Sequence, residues 1–408
     1  MKTSFNTITS CKSRKTLLTL CVLLAMFTAF PTCHAQQITG NNNDFACNLL
    51  RVLNEQNEGS FVASPISVTF MLGMLNAGAN GETRQQITDV MGLDGSVQSI
   101  NEYCRRMILK APRVDPTATI KIASSIVANS FLNISLIPQY DKDMQHYYMA
   151  EVDAFDFRDD NALNQINKWC YTHTDGMIPT ILDRINPLAA MYLLDAIYFK
   201  ANWTSKFDPS STRQMAFTMP DGNSENRMMM HSNMKADYCS NDYYQMLYLP
   251  YGNQSYGMYI LLPDRDKTTD DIIERLTAQE LKLMIQNMRN CNVDILLPRF
   301  TTSSHHMLND PLSAMGMPLA FSEEDADFPF MAQDHNLFVY QMLQRARIEV
   351  NERGTKAAAV TVAETRNRSA AAMTNHVNFH AVRPFVYFIV ERSTQAIFFM
   401  GTYCGEEQ

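Results

Sequence analysis

Chemistry in a protein of this size would have to come from its histidines, cysteines, serines and carboxylates, and here they fall into no catalytic spacing. The 408 residues include 9 His and 9 Cys, yet no GxSxG, HExxH, P-loop or GxGxxG occurs. His305-His306 lies in a Ser/Thr/Asn/Asp-rich stretch and reads as a surface turn, not a metal site. The cysteines show no CxxC and no zinc spacing. Nothing supports catalysis by this chain, and no cofactor or metal is implied. The stretch with an unusual pattern is Glu349 to Ser369, which runs out through Arg366-Asn-Arg-Ser369 into Ala-Ala-Ala and reads there as exposed loop.

Within that stretch, residues sort by parity. Thr355, Ala357, Ala359, Thr361, Ala363 and Thr365 form one set; Lys356, Ala358, Val360, Val362, Glu364 and Arg366 form the other. Every charge falls in the second set, the period-2 pattern of a strand with one buried and one solvated face. No Pro or Gly interrupts Thr355 to Arg368, so a place inside a sheet is open to it. Alanine favours helix, but Thr355, Val360, Thr361, Val362 and Thr365 favour strand. The run is compatible with two states, a loop and an inserted strand.

The elements around it are legible by the same rules. Phe45, Leu49, Leu50 and Leu53 make a helical stripe between Asn42 and Asn54. Ser64-Pro-Ile-Ser67 is a helix start, Ser as cap and Pro in the first turn, leading into an apolar helix through Ala77. Gly78 to Thr83 stops that helix and starts another. Ile100 to Leu109 reads as a short helix, and Thr119 to Phe131 as a strand. Met191 to Trp203 is the strongest strand, apolar enough to be covered on both faces. Short strands follow within 226–231, 246–264 and 293–300, and a buried hairpin spans 383–401.

These segments, in this order, resemble the serpin family of serine protease inhibitors. The resemblance rests on Ser64-Pro-Ile-Ser67, on Met191 to Trp203, on the hinge-like Glu352-Arg-Gly-Thr-Lys-Ala-Ala-Ala-Val-Thr361, and on Arg383-Pro-Phe-Val-Tyr-Phe-Ile followed by Phe399-Met-Gly401. It implies an α+β fold: a large central sheet, smaller sheets, about eight or nine helices around them, and an exposed reactive-centre loop at 352–378. It also implies suicide inhibition. A protease attacks one loop bond, and the loop inserts before the acyl-enzyme can hydrolyse.

Serpin spacing puts the bait sixteen positions after Glu352, at Arg368, with Ser369 following. Arg368 suits a trypsin-like pocket, and Arg-specific cysteine proteases remain open. Arg366 and Met373 are secondary bait sites. The hinge residues are Glu352, Gly354, Thr355, Ala357, Ala358, Ala359 and Thr361, and the small inward ones favour inhibition over a non-inhibitory carrier or surface role. Ser64, Ser67, Asp195, Trp203 and Gln344 form the region where the sheet opens. Serpins usually carry Asn at the position of Asp195 and His at that of Gln344, so an Asp–Gln pair is expected to keep the bond without an imidazole. The other reading is that either residue faces solvent. Arg105, Arg106 and Lys110 match a helix that binds sulfated polysaccharides in some serpins, though a solvated face is the plainer reading. The implied partner is one protease per monomer, covalently held.

The first 35 residues read as a signal peptide: Lys2, Lys12, Arg14 and Lys15, then an apolar stretch from Leu17 to Phe30. Cleavage after Ala35 is favoured over lipidation of Cys33, and either implies export. Residues 36–408 then form one domain. Losing four cations takes the formal charge from −8 to −12, which argues against nucleic acid as a partner. Six cysteines remain, and their pairing is left open.

Overall fold

Apolar spacing decides which segments coil and which extend. The computed structural model describes residues 42–134, 136–333, 337–355 and 376–406. The expected leader, Cys33, the hinge residues Ala357, Ala358, Ala359 and Thr361, and the bait residues Arg366, Arg368, Ser369 and Met373 lie outside the described residues. Residues 38–408 form one compact unit. Its helices are α1 (Asn43–Glu55), α2 (Pro65–Gly78), α3 (Gly81–Met91), α4 (Val97–Val114), α5 (Pro138–Asp143), α6 (Asp160–His173), α7 (Thr269–Arg275), α8 (Ala278–Asn287) and α9 (Asn309–Ala314). The first strands are β1 (Phe61–Ala63), β2 (Thr119–Asn129), β3 (Glu151–Phe155), β4 (Met191–Asn202), β5 (Arg213–Thr218), β6 (Ser224–Ser240), β7 (Tyr244–Tyr251) and β8 (Tyr256–Pro263). The rest are β9 (Arg289–Pro298), β10 (Phe300–Met307), β11 (Gln341–Asn351), β12 (Gly354–Thr355), β13 (His376–His380), β14 (Phe385–Glu391) and β15 (Ile397–Tyr403).

Two sheets result. Six strands run in the order β10-β11-β12-β4-β2-β3, and nine are joined along β1-β15-β14-β8-β7-β6-β9-β13 with β5 on β6. The smaller sheets expected from the sequence are continuous here. The 17-residue β6 pairs with β5, β9 and β7 in turn and so bridges them.

The centre of the six-stranded sheet is buried on both faces. Leu193, Ile197, Phe199, Met342 and Ala346 join α2 and the nine-stranded sheet in one core. Tyr192, Leu194, Ala196 and Leu343 pack with Ile166 and Cys170 of α6 in a second. Alternate residues of β4 thus serve two cores, as its unbroken apolar sequence requires. The Phe-Met-Gly ending also has a steric cause. A β-carbon on Gly401 would stand 2.0 Å from the Phe61 carbonyl oxygen, where β1 lies against β15.

Some local expectations are corrected. The helix read as Ile100 to Leu109 runs from Val97 to Val114, because Ser96 caps it and its last turn tolerates Pro112. His305-His306 is no surface turn but part of β10. His306 is buried against the Phe61 ring and donates from Nε2 to the Val62 carbonyl at 2.9 Å. The β10–β11 pairing carries the polar stretch into the sheet. Among the described residues all six cysteines are free thiols, with only Cys291 not fully buried.

β12 is the odd element. It is two residues long and stands between β11 and β4, antiparallel to both. Thr355 is in register with Ala201 and with Val350, and Gly354 with Asn202 and Asn351. Gly354 has φ +127°, and a β-carbon there would lie 2.3 Å from the Ala201 oxygen and 2.5 Å from the Trp203 nitrogen. Those neighbours are backbone and cannot swing aside. Gly354→Ala is therefore expected to undock β12 at a local cost of about 1–3 kcal/mol while leaving both cores intact. Amide exchange at Trp203, whose N–H donates to the Arg353 carbonyl at 2.8 Å, should quicken, with little change in global unfolding. Unchanged exchange at Trp203 would show that β12 tolerates the methyl.

Candidate functional site

The site is the seam between β4 and β11. The two strands pair directly and in parallel from Tyr192 opposite Gln341 to Tyr198 opposite Arg347. Beyond that they part, and β12 fills the gap. One end of the seam is thus closed and the other already holds a third strand.

In the closed stretch Gln344 stands opposite Asp195, and both are fully buried. Neither faces solvent. Gln344 Nε2 donates to Asp195 Oδ2 at 3.1 Å, which bears out in geometry the pair read from the sequence. The same carboxylate takes Ser67 Oγ at 2.5 Å and Ser124 Oγ at 3.1 Å. Gln344 Oε1 accepts the Ser64 backbone N–H at 2.8 Å, and its amide also bonds the Ser64 carbonyl at 3.1 Å and Ser67 Oγ at 2.9 Å. The start of α2 supplies these groups because Ser64 caps the helix and leaves its first turn pointing at the sheet. One buried knot therefore ties α2, β2, β4 and β11.

The pair carries no imidazole, as the sequence suggested, but Asp195 is itself titratable. Burial pushes the Asp195 carboxyl up to about 6, against the opposing pull of the Ser67, Gln344 and Ser124 bonds. His306 stands beside Gln344 in the next strand, and burial lowers its pKa to about 4, so it is neutral near pH 7.

At the open end the chain reverses between Asn351 and Gly354. Trp203 holds the turn from below. Its indole N–H donates to the Asn351 carbonyl at 2.9 Å and its backbone N–H to that of Arg353. The indole stacks on Tyr251 with centroids 4.3 Å apart and planes 11° from parallel. The Phe207 N–H donates to the Glu352 carbonyl at 2.9 Å. The Glu352 carboxylate is buried, bonded by Thr212 Oγ1 at 2.7 Å and ion-paired with Arg299. Burial alone would raise its pKa, but the Arg299 and Thr212 bonds outweigh that and hold it below the ordinary range.

The structure thus brings Ser64, Ser67, Asp195 and Gln344 into one cluster, and Trp203, Glu352 and Gly354 into another at the mouth of the seam. Sequence reasoning missed Ser124, Phe207, Thr212 and Arg299. Only Arg299, a lone cation between Pro298 and Phe300, carried any signal. Of the cations proposed for polysaccharide, Lys110 is committed to Glu391 at 3.1 Å and Ser393 at 2.6 Å, and Arg106 lies over the Tyr103 ring.

The raised Asp195 pKa has a consequence for stability. Its folded-state value lies above the ordinary carboxyl value of 3.8, so the fold binds this proton more tightly than the unfolded chain does. The resulting stabilisation is complete below the unfolded value and is lost as pH rises through about 6. Asp195→Asn, which removes the charge at constant shape, is expected to raise the urea midpoint near neutral pH by the equivalent of roughly 3 kcal/mol. It should also flatten the profile over this window. A mutant profile parallel to that of the wild type would place the titration elsewhere.

Comparison with known proteins agrees with this architecture. A family model described as serpin (serine protease inhibitor) matches residues 40–405. An uncharacterised serpin-like protein of Thermococcus kodakarensis is 31% identical over 363 residues, spanning 88% of this chain and 83% of its own. Serpin B8 of Homo sapiens is 31% identical over 373 residues, 89% of this chain and 97% of its own. The native structure of tengpin, a thermophilic serpin, has a TM-score of 0.82 at 29% identity, over 90% of this chain and 93% of that one. Native protease nexin-1, solved with heparin, has 0.77 at 27%, over 90% and 98%. With the family match running through the seam, the hinge turn and the closing hairpin alike, this chain belongs to the serpin family, whose members are in general inhibitors of serine proteases and not catalysts.

Proposed function

We propose that this protein is an exported, irreversible suicide-substrate inhibitor of trypsin-like serine proteases, trapping the acyl-enzyme by drawing its cleaved loop into the β4–β11 seam. The observation that carries the reading is the register of β12. Six residues on from Thr355 is Thr361; six back from Ala201 on β4 is Asp195; six back from Val350 on β11 is Gln344. An incoming strand that keeps this register meets the Asp195–Gln344 pair with a threonine. A hydroxyl both donates and accepts, so Thr361 can give a hydrogen bond to the carboxylate while taking one from the amide it displaces. The hinge sequence fits the knot it would have to enter.

The covalent chemistry is the protease's own. Its serine oxygen adds to the carbonyl carbon of Arg368, the bond to Ser369 breaks, and the peptide beginning at Ser369 leaves with the proton passed on by the protease's histidine. About fourteen residues entering at ~3.3 Å each carry the attached enzyme ~45–50 Å. The site that would have deacylated is distorted on the way. An Arg-specific cysteine protease passes through the same kind of intermediate and is a second class of target.

Mixed with trypsin, the mature protein should give a complex near one-to-one that survives boiling in detergent. Arg368→Glu should abolish it, because the enzyme's acidic pocket then meets a like charge. The released peptide should begin at Ser369; a start at Asn367 moves the bait to Arg366. Trypsin that cleaves the loop and stays fully active sinks the inhibitor reading.

Parity gives a separate test. Thr355→Arg would carry a charge into the sheet without a partner, at a cost of several kcal/mol, whereas Lys356→Glu changes the outward set. The first is expected to turn inhibitor into substrate with normal initial cleavage; the second should inhibit nearly as wild type. If the two variants partition alike between complex and cleaved product, the inward assignment of Thr355 is wrong.

A further inference from the structure

We propose that the cavity between the end of β8 and the edge strand β13 binds a small oxyanion of the phosphate kind, held between the guanidinium groups of Arg265 and Arg383. The site is separate from the β4–β11 seam and does not depend on the inhibitor reading.

The cavity measures about 500 Å3, and backbone bonds fix both of its walls. On one side, β13 ends its sheet and among the described residues pairs only with β9. Past it the chain turns at Ala381, whose N–H donates to the Leu296 carbonyl at 2.8 Å. The turn brings Arg383 onto the end of β8. Its Nε donates to the Pro263 carbonyl at 3.1 Å, and its Nη2 bonds the same oxygen. A guanidinium has five N–H groups, so these bonds orient the fork and leave other donors for a ligand. On the other side, Arg265 follows β8 in a turn closed by the Lys267 N–H on the Asp264 carbonyl at 3.0 Å. It is exposed and, among the described residues, makes no ion pair. Gln245 and Asn378 add amides to the lining. His380, in the same lining, is already aligned: its Nε2 donates to Asp294 Oδ2 at 2.9 Å, and Asp294 Oδ1 takes His231 Nε2 at 2.7 Å.

Two cations without counter-ions around one cavity are costly unless an anion joins them. The cost shows at Arg383. Burial lowers its pKa, Asp264 pulls it back up, and Arg265 pushes it down again. Two acids line the same cavity. Asp266 is committed to Lys267 at 3.0 Å, which leaves Asp264 as the competitor of an incoming anion. One carboxylate facing two guanidinium groups leaves the cavity positive. Guanidinium forks match pairs of oxyanion oxygens, and the guanidinium gives up its own water readily. The volume takes a phosphate together with part of its water shell. A bound anion ties the corner after β13 to the turn after β8, two segments that the Arg383–Pro263 bonds already bring together.

The test titrates inorganic phosphate from about 1 to about 50 mM into the intact protein at neutral pH, with ionic strength held constant by chloride. Hydrogen–deuterium exchange is followed at 264–267 and 378–383, with β10 and β11 as internal reference. Protection of the two segments should rise to a plateau while the reference strands hold, and the melting temperature should rise with it. Arg265→Gln touches an exposed, unpaired side chain and so leaves the fold intact; it should weaken binding about tenfold. Asp264→Asn removes the competing charge and should strengthen binding about fivefold. An effect that never saturates overturns the site, as does one that chloride alone reproduces. So does binding that is unchanged in Arg265→Gln or no tighter in Asp264→Asn.

Discussion

A carboxylate shut away from water must find its donors inside the protein, and Asp195 finds three on three different elements. That requirement fixes the geometry around it. α2 must begin where Ser64 and Ser67 reach the sheet, β2 must present Ser124, and β11 must lie close enough for Gln344 to touch both. Losing one donor strands a buried charge, which costs far more than a hydrogen bond ordinarily contributes. The knot is consequently a strong specifier of register between β4 and β11. Its members must move together or not at all.

A second buried carboxylate, Glu352, marks the other end of the seam, and its environment has the opposite effect. Arg299 and Thr212 keep it ionised, so it anchors the reversed chain by charge. Trp203 anchors the same turn through its indole N–H and its own backbone. The first two inserted residues are thereby fixed in place, and each further residue extends a ladder that already exists. Nucleating a strand between two others is the costly step, since ordering comes before contacts reward it. Here that step is complete in the intact protein.

Much of this was legible in the sequence and some was not. Elements whose residues satisfy local rules came through: the stripe of α1, the capped start of α2, the doubly covered β4, the closing hairpin. The Asp195–Gln344 pair was legible only through resemblance, because 149 residues separate its members and no local pattern joins them. Ser124 and Thr212 were illegible for the same reason, as each acts through a partner at least 71 residues away. His306 misled because local polarity reads as exposure. Its burial follows from two tertiary events, the pairing of β10 with β11 and the packing of β10 against β1, which supplies the Val62 carbonyl and the Phe61 ring as neighbours. The bait assignment rests on counting along the chain and not on contacts.

On the proposed mechanism, the backbone gives the seam a reason to open. β4 and β11 run parallel, and parallel pairing is slightly weaker per residue than antiparallel. A strand that continues β12 is antiparallel to both neighbours, so full entry would replace one parallel pairing with two antiparallel ones and leave no backbone group unpaired inside the sheet. The strand pairing by itself would favour that exchange. In the proposed register a threonine at position 361 would remove the main side-chain objection, since the carboxylate and the amide would each keep a partner. On the proposed mechanism, what would resist the exchange is seven closed residue pairs on β4 and β11 and one charged knot among them. On the same reading, the fold would store its driving force in a strand arrangement that is locally satisfied but not the best its own sequence can make.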